Sequence, residues 1–443
     1  MTHMLSCSVS FRDDKKLVIF SVKCNSQQYR PLRNARTNFF EPDWSPFLSS
    51  ARLPIPVHPK KSTYINRLFT SKGSLFLVCP LSTVNNEQFF FFFLAIYPST
   101  CTLVTMSTTA STPSSLRHLI SIKDLSDEEF RILVQRAQHF KNVFKANKTN
   151  DFQSNHLKLL GRTIALIFTK RSTRTRISTE GAATFFGAQP MFLGKEDIQL
   201  GVNESFYDTT KVVSSMVSCI FARVNKHEDI LAFCKDSSVP IINSLCDKFH
   251  PLQAICDLLT IIENFNISLD EVNKGINSKL KMAWIGDANN VINDMCIACL
   301  KFGISVSIST PPGIEMDSDI VDEANKVAER NGATFELTHD SLKASTNANI
   351  LVTDTFVSMG EEFAKQAKLK QFKGFQINQE LVSVADPNYK FMHCLPRHQE
   401  EVSDDVFYGE HSIVFEEAEN RLYAAMSAID IFVNNKGNFK DLK

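Results

Sequence analysis

The sequence predicts an α/β protein with two doubly wound parallel-sheet domains joined by helices and preceded by an irregular N-terminal extension. Three observations carry that expectation. From Leu116 onward, short apolar runs of strand length alternate with amphipathic stretches of helical length. The alternation comes in two sets, separated near residue 270 by the polar, turn-rich segment 266–278. The first 105 residues differ in kind: they hold 12 Lys+Arg against 5 Asp+Glu, and Gly73 is their single glycine out of 15.

The extension comes first in the chain and is assigned residues 1–115. It shows no sustained apolar period, and residues 89–93 are a run of five phenylalanines. The apolar stretch 89–97 is far shorter than the ~20 residues of a membrane helix, and no apolar core follows the first Met as in a signal peptide. A segment this basic could be a transit peptide to the mitochondrial matrix, but Asp13, Asp14, Glu41 and Asp43 fit one poorly. The expectation is a disordered or spurious stretch ahead of an internal start at Met106, and hence a cytoplasmic protein. The matrix is the alternative.

The first domain is assigned residues 116–266. Ser126 and Glu129 form a capping-box pattern, and Phe130, Leu133, Val134, Ala137, Phe140 and Phe144 follow at helical spacing. Apolar runs at 163–168, 219–222 and 239–242 are expected as buried parallel strands. The second domain, residues 267–415, repeats the pattern with runs at 280–285, 304–308 and 350–353. A last helix in 416–436 is expected to pack back on the first domain. The chain as a whole balances 48 Lys+Arg against 48 Asp+Glu, which excludes a polycation built for nucleic acid. Eleven scattered cysteines suit reduced, buried thiols better than a disulfide framework, and Cys296 and Cys299 sit in an apolar helix rather than a zinc pattern.

Ligands of parallel α/β sheets bind beyond the carboxyl ends of the strands, and the chemically unusual residues lie there. The run at 163–168 ends in Lys170, Arg171, Ser172, Thr173, Arg174, Thr175 and Arg176 and enters a helix. A helix N-terminus with hydroxyls and a guanidinium is a phosphate site. No P-loop spacing is present, so it is not a nucleotide loop. Arg223 closes the next strand. His250-Pro-Leu-Gln253 places an imidazole and an amide about one turn apart at the start of a helix, suited to a carbonyl oxygen and an N–H₂ group. Asn289 and Asn290 follow Gly286 without the dinucleotide spacing; they offer amides or simply cap a helix. Asp354 offers a carboxylate to an ammonium group, Ser358 a donor. Cys394, at the end of Phe391-Met-His-Cys, has no matched general base in sequence, so covalent catalysis ranks last.

Ser172-Thr-Arg-Thr-Arg176, His250-Pro-Leu-Gln253, Ser358-Met-Gly360 and His393-Cys-Leu-Pro396 together resemble the signatures of the carbamoyltransferases, and the last two those of the ornithine carbamoyltransferase family. From Met106 onward the text is similar to the budding-yeast type. The resemblance implies transfer of the carbamoyl group from carbamoyl phosphate to the δ-amine of L-ornithine, giving L-citrulline and phosphate, a step of arginine biosynthesis, with no metal and no cofactor. It implies that Ser172, Thr173, Arg174 and Thr175 hold the phosphate and that Arg223, His250 and Gln253 hold the carbamoyl end. Asn290, Asp354, Ser358 and Met359 would bind ornithine. Cys394 and Leu395 would line the junction of both substrates, with Cys394 a positioning and proton-accepting residue, and Arg421 would reach the phosphate or carbonyl side. Cys394, Asp354, Arg223 and His250 are thus the catalytic candidates. Gln199 matches a residue lent by a neighbouring subunit of a homotrimer with shared active sites. The alternatives are a carbamoyltransferase acting on aspartate or a modified ornithine, and a catalytically silent regulatory protein on the same scaffold.

Overall fold

The computed structural model describes residues 116–146, 157–268, 279–357 and 365–440, together with the backbone of six strands nearer the N-terminus. The chain divides into two units, Met1–Thr112 and Pro113–Lys443. In the first unit, β1 (Ser6–Phe11) and β2 (Val18–Lys23) form an antiparallel hairpin. β3 (Arg67–Ser71), β4 (Ser74–Val78), β5 (Phe93–Tyr97) and β6 (Thr100–Val104) form an antiparallel meander. The expectation of an irregular extension does not foresee these strands, whose aromatic and β-branched residues favour pleated backbone locally.

The second unit holds two parallel sheets. β7 (Thr163–Phe168), β8 (Gln189–Gly194), β9 (Cys219–Arg223) and β10 (Ile241–Leu245) are ordered β10-β9-β7-β8. β11 (Lys281–Ile285), β12 (Ser305–Ser309), β13 (Phe335–Thr338), β14 (Ile350–Thr353) and β15 (Lys390–His393) are ordered β13-β12-β11-β14-β15. In both, the first strand lies inside the sheet with later strands on either side. The order therefore reverses beside that strand, and a crevice opens there at the carboxyl ends.

The helices follow from their sequences. α1 (Asp127–Ala146) opens on the expected capping box: Ser126 Oγ accepts the Glu129 N–H at 3.1 Å and Glu129 Oε2 accepts the Ser126 N–H at 3.0 Å. α2 (Thr173–Phe185), α3 (Phe206–Met216) and α4 (His227–Asp236) belong to the first sheet. α5 (Pro251–Asn264) is buried from Pro251 through Ile262, the signature of a helix with packing on every side. It packs against α1, against α6 (Asn290–Lys301) of the second sheet, and against α8 (Val414–Ala428). α7 (Ser318–Asn331) packs against α6 and touches β13, and ends on Gly332 at φ 66°, a left-handed cap that suits glycine. One apolar cluster runs through both sheets, so the two halves share a core.

The apolar runs coincide with β7, β9, β11, β12 and β14 to within a residue at most ends. The run 239–242 is offset: Pro240 has no N–H for the ladder, and the strand continues through buried Asn243 and Ser244 to Leu245. β8 and β13 are absent from the sequence reading. Both are edge strands with half-exposed residues, so neither reads as a continuous apolar run. The last helix begins two residues before the expected start and ends in a π-helical turn, Ile429–Asn434.

Candidate active site

A cavity of about 440 Å³ opens where the carboxyl ends of both sheets face each other. Its first wall is the turn from β7 into α2. Ser172 has extended backbone and caps the helix, its hydroxyl accepting the Thr175 N–H at 3.2 Å. The first turn of α2 contains no acidic side chain. Its free N–H groups and positive dipole end therefore face the cavity uncompensated. Lys170, Arg171, Ser172, Thr173, Arg174 and Thr175 line that end.

Arg223 closes β9 and Arg421 rises from α8; they are 5% and 3% exposed. Burial, then the neighbouring Arg421, draws Arg223 down to about 10, so it stays cationic at neutral pH. The Nε of each guanidinium is buried without a partner. Unsatisfied buried donors are rare and costly in a finished interior, so a wall carrying two of them beside a helix N-terminus suits an anion that completes it. Arg421 also organises the wall. It donates to Thr175 Oγ1 at 3.0 Å, contacts His250 Nε2 at 3.2 Å, and donates to Gln253 Oε1. A hydroxyl that accepts from Arg421 keeps its own proton to donate.

His250 is the N-cap of α5, with Pro251 preset for the first turn. Burial, then the charges of Arg421, Arg223 and Arg174, holds its imidazole well below the usual histidine range, so it is neutral. Its backbone N–H is fixed by Asp294 Oδ2 at 2.7 Å, and the other Asp294 oxygen takes the Ile122 N–H at 2.7 Å. Asp294 belongs to α6, so the second sheet's helix pins the His250 end of α5.

The opposite wall comes from the second sheet. Asn289 caps α6 through the Val291 and Ile292 N–H groups and also donates to Asp354 Oδ2 at 2.9 Å. Asn290 lines the cavity and donates to the Cys246 carbonyl at 2.5 Å. Asp354 follows β14. The Cys394 thiol, just past β15, donates to Asp354 Oδ1 at 3.0 Å. Burial first, and then the Asp354 charge, pushes this thiol well above the usual range. A protonated thiol pointed at a carboxylate is a donor that fixes the carboxylate. Leu395 sits at φ 61°, left-handed for a branched residue, before a cis peptide bond to Pro396; its carbonyl accepts from Arg174 across the cavity.

The structure thus gathers Ser172, Thr173, Arg174, Thr175, Arg223, His250, Gln253, Asn290, Asp354, Cys394, Leu395 and Arg421 around one cavity. Gln199 is not among its lining residues: it is exposed on the loop after β8 and accepts from Asn203 at 2.8 Å. Ser358 and Met359 lie outside the described residues. Cys296 and Cys299 are buried free thiols on α6. Asn289, expected as an amide donor or a helix cap, is both; sequence reasoning passed over Asp294 and the buried acids Asp257, Glu401 and Glu417. Glu401 holds His393 at 3.3 Å and His398 at 2.8 Å. For Asp257 and Asp294 the available signal was an acid inside a largely apolar stretch; Glu401 and Glu417 stand among other polar residues and gave none.

The pattern of the carbamoyl-P binding domain of the aspartate/ornithine carbamoyltransferases matches residues 117–263, and that of their Asp/Orn binding domain matches residues 278–432. The chain is 56% identical over 330 residues to the mitochondrial ornithine transcarbamylase of Pachysolen tannophilus, covering 74% of this chain and 92% of that protein. It is 51% identical over 321 residues to the mitochondrial ornithine carbamoyltransferase of Schizosaccharomyces pombe, covering 72% and 95%. The crystal structure of a mitochondrial ornithine carbamoyltransferase from Coccidioides immitis superposes with a TM-score of 0.66 at 50% identity, covering 73% of this chain and 99% of that one. The ornithine carbamoyltransferase from Pyrococcus furiosus gives 0.66 at 39% identity, covering 72% and 98%.

Proposed function

The chain belongs to the aspartate/ornithine carbamoyltransferase family, on its ornithine side, and from that premise we propose how its cavity works. It transfers the carbamoyl group of carbamoyl phosphate to the δ-amine of L-ornithine, giving L-citrulline and phosphate. The observation that carries the assignment is the polarity of the cavity. Arg174, Arg223, Arg421 and a helix N-terminus form one wall; the carboxylate of Asp354 stands on the other.

The phosphate of the donor takes the α2 end, with Ser172, Thr173, Arg174 and Thr175 around it. Attack by a neutral amine builds negative charge on the carbonyl oxygen, and Thr175, Arg223 and His250 stabilise it. His250 serves as a neutral polar group, because burial, and then the surrounding guanidiniums, keep its ring from taking a proton. Departure of phosphate discharges into the same cations that bound it. Asp354 and Asn290 hold ornithine, with Ser358 and Met359 expected beside them. The thiol of Cys394 already holds its proton and donates it to Asp354, so Cys394 orients the carboxylate, and the proton-accepting role expected of Cys394 passes to Asp354. Citrulline formation with ornithine and none of the corresponding product with aspartate tests the reading; the reverse pattern overturns it.

The assembly we propose is a homotrimer in which Gln199 completes a neighbour's cavity. Its exposure, with Met191, Val202, Tyr207 and Met216 exposed on the same stretch of β8, loop and α3, supports a contact there. For location, the fungal relatives' names carry "mitochondrial", which supports the matrix alternative over the cytoplasmic expectation. Fractionation of cells making the full-length chain decides between them. Among the described residues, no helix is long and apolar enough to cross a membrane.

A further inference from the structure

Behind Gln253 lie two acids that no step above uses. Gln253, Asp257 and Glu417 are each 2% exposed. Gln253 and Asp257 are four residues apart on α5 and so share one face; Glu417 enters from α8. The Gln253 amide nitrogen donates to Asp257 Oδ1 at 2.7 Å and to Glu417 Oε1 at 2.9 Å. Both of its N–H bonds are spent on carboxyl groups. The amide oxygen accepts from Arg421, one turn beyond Glu417 on α8. Glu417 is itself held from the far side, where its Oε2 accepts the His393 N–H at 2.9 Å.

An amide is nearly symmetric in shape and takes its orientation from its partners. Turning this one over would face its oxygen to two carboxyl oxygens and its N–H₂ to a guanidinium. Every one of the three contacts would then join like to like. With both donors consumed, Gln253 has only the second lone pair of its oxygen left for the cavity.

We propose that Asp257 and Glu417 are positioning residues for donor specificity: by fixing Gln253 with its oxygen toward the cavity, they select a donor whose transferred carbon carries N–H₂ rather than CH₃. The inference rests on the carbamoyl reading above. It names what that reading leaves open, the means by which carbamoyl phosphate is distinguished from acetyl phosphate. The two acids coexist because they share a proton. Burial raises Asp257 to about 7, and burial with the charge of Asp257 raises Glu417 well above the usual range. The pair keeps acceptor atoms toward Gln253 while Arg421 balances its remaining charge.

The test compares the two donors in the full-length assembled enzyme. KM for carbamoyl phosphate is read from citrulline formation, and acetyl phosphate is measured as a competitive inhibitor. A parent enzyme that makes no citrulline would overturn the functional reading itself. Given an active parent, Glu417→Ala removes one of the two acceptors that occupy the amide and leaves an N–H free to turn toward the cavity, so the preference for carbamoyl over acetyl phosphate falls by roughly tenfold. Asp257→Asn keeps an acceptor for Gln253 and offers its own N–H₂ to Glu417, so the preference stays within about threefold. If Glu417→Ala does not assemble, Asp257→Ala gives the same direction of change. An equal weakening of both donors, or an unchanged ratio in the assembled alanine variant, overturns the inference.

Discussion

Asp354→Asn isolates one charge with little change of shape. In the native site, Asp354 Oδ1 accepts the Cys394 thiol at 3.0 Å and Oδ2 accepts the Asn289 amide at 2.9 Å. Asparagine can keep its oxygen toward Asn289 and turn its N–H₂ to the Cys394 sulfur, a weak acceptor. The fold therefore survives, and the loss falls on the substrate. A carboxylate and an ammonium about 4 Å apart attract by about 4 kcal/mol at the effective dielectric of a protein site, and a charged hydrogen bond nets about 1.5–3 kcal/mol after desolvation. Taking about 2–4 kcal/mol at 1.36 kcal/mol per decade, kcat/KM for ornithine should fall by about 30- to 1000-fold. The contacts of Arg174, Thr175 and Arg421 do not involve Asp354, so KM for carbamoyl phosphate should stay within about threefold. Steady-state rates with each substrate varied in turn give both numbers. A matching loss for both substrates, or undiminished use of ornithine, would refute the placement of ornithine against Asp354.

Four further outcomes are expected. Arg174→Ala should weaken carbamoyl phosphate by at least about tenfold, with melting temperature little changed; calorimetric binding equal to the parent's would remove Arg174 from the phosphate site. Stability should fall as pH rises between about 4 and 7, because Asp257, raised from 3.8 to about 7, holds a proton in the folded state that the unfolded chain has lost. One such proton gives a slope of about 1.4 kcal/mol per pH unit, added to that of Asp294, which burial raises to about 8, so Asp257→Asn should lessen the slope in denaturant titrations without abolishing it; an unaltered slope would mean that Asp257 carries no such proton. Mixing unfolded-and-refolded Gln199→Ala and Arg174→Ala subunits should restore activity above either alone, since some hybrid cavities draw an intact residue from each chain; no gain would count against shared sites. A chain starting at Met106 should assemble and turn over like the full-length one, because every cavity residue lies in Pro113–Lys443; lost turnover would give the first unit a role in the enzyme.

What was readable in the sequence follows from what a parallel sheet demands. Strands buried on both faces must be continuous apolar runs, so β7, β9, β11 and β14 announce themselves, and ligand groups must cluster just beyond their ends. Ser172 to Thr175, Arg223, Asn290, Asp354 and Cys394 all occupy such positions. Edge strands face weaker demands, which is why Gln189–Gly194 and Phe335–Thr338 left no pattern. Residues acting by long-range pairing left none either: Arg421 meets Thr175 across 246 residues and Glu417 meets Gln253 across 164, and nothing local encodes those separations. Yet one clue was local. The helix after His250 reads as apolar from Ala254 to Ile262, and Asp257 stands in its middle. An acid on a helix with no solvent face cannot be left unpaired. It implies a buried donor one turn away and a partner from another element, and the former, Gln253, lies four residues back. A charge that breaks an otherwise unbroken apolar stretch therefore marks a built polar network as surely as a cluster of arginines marks an anion site.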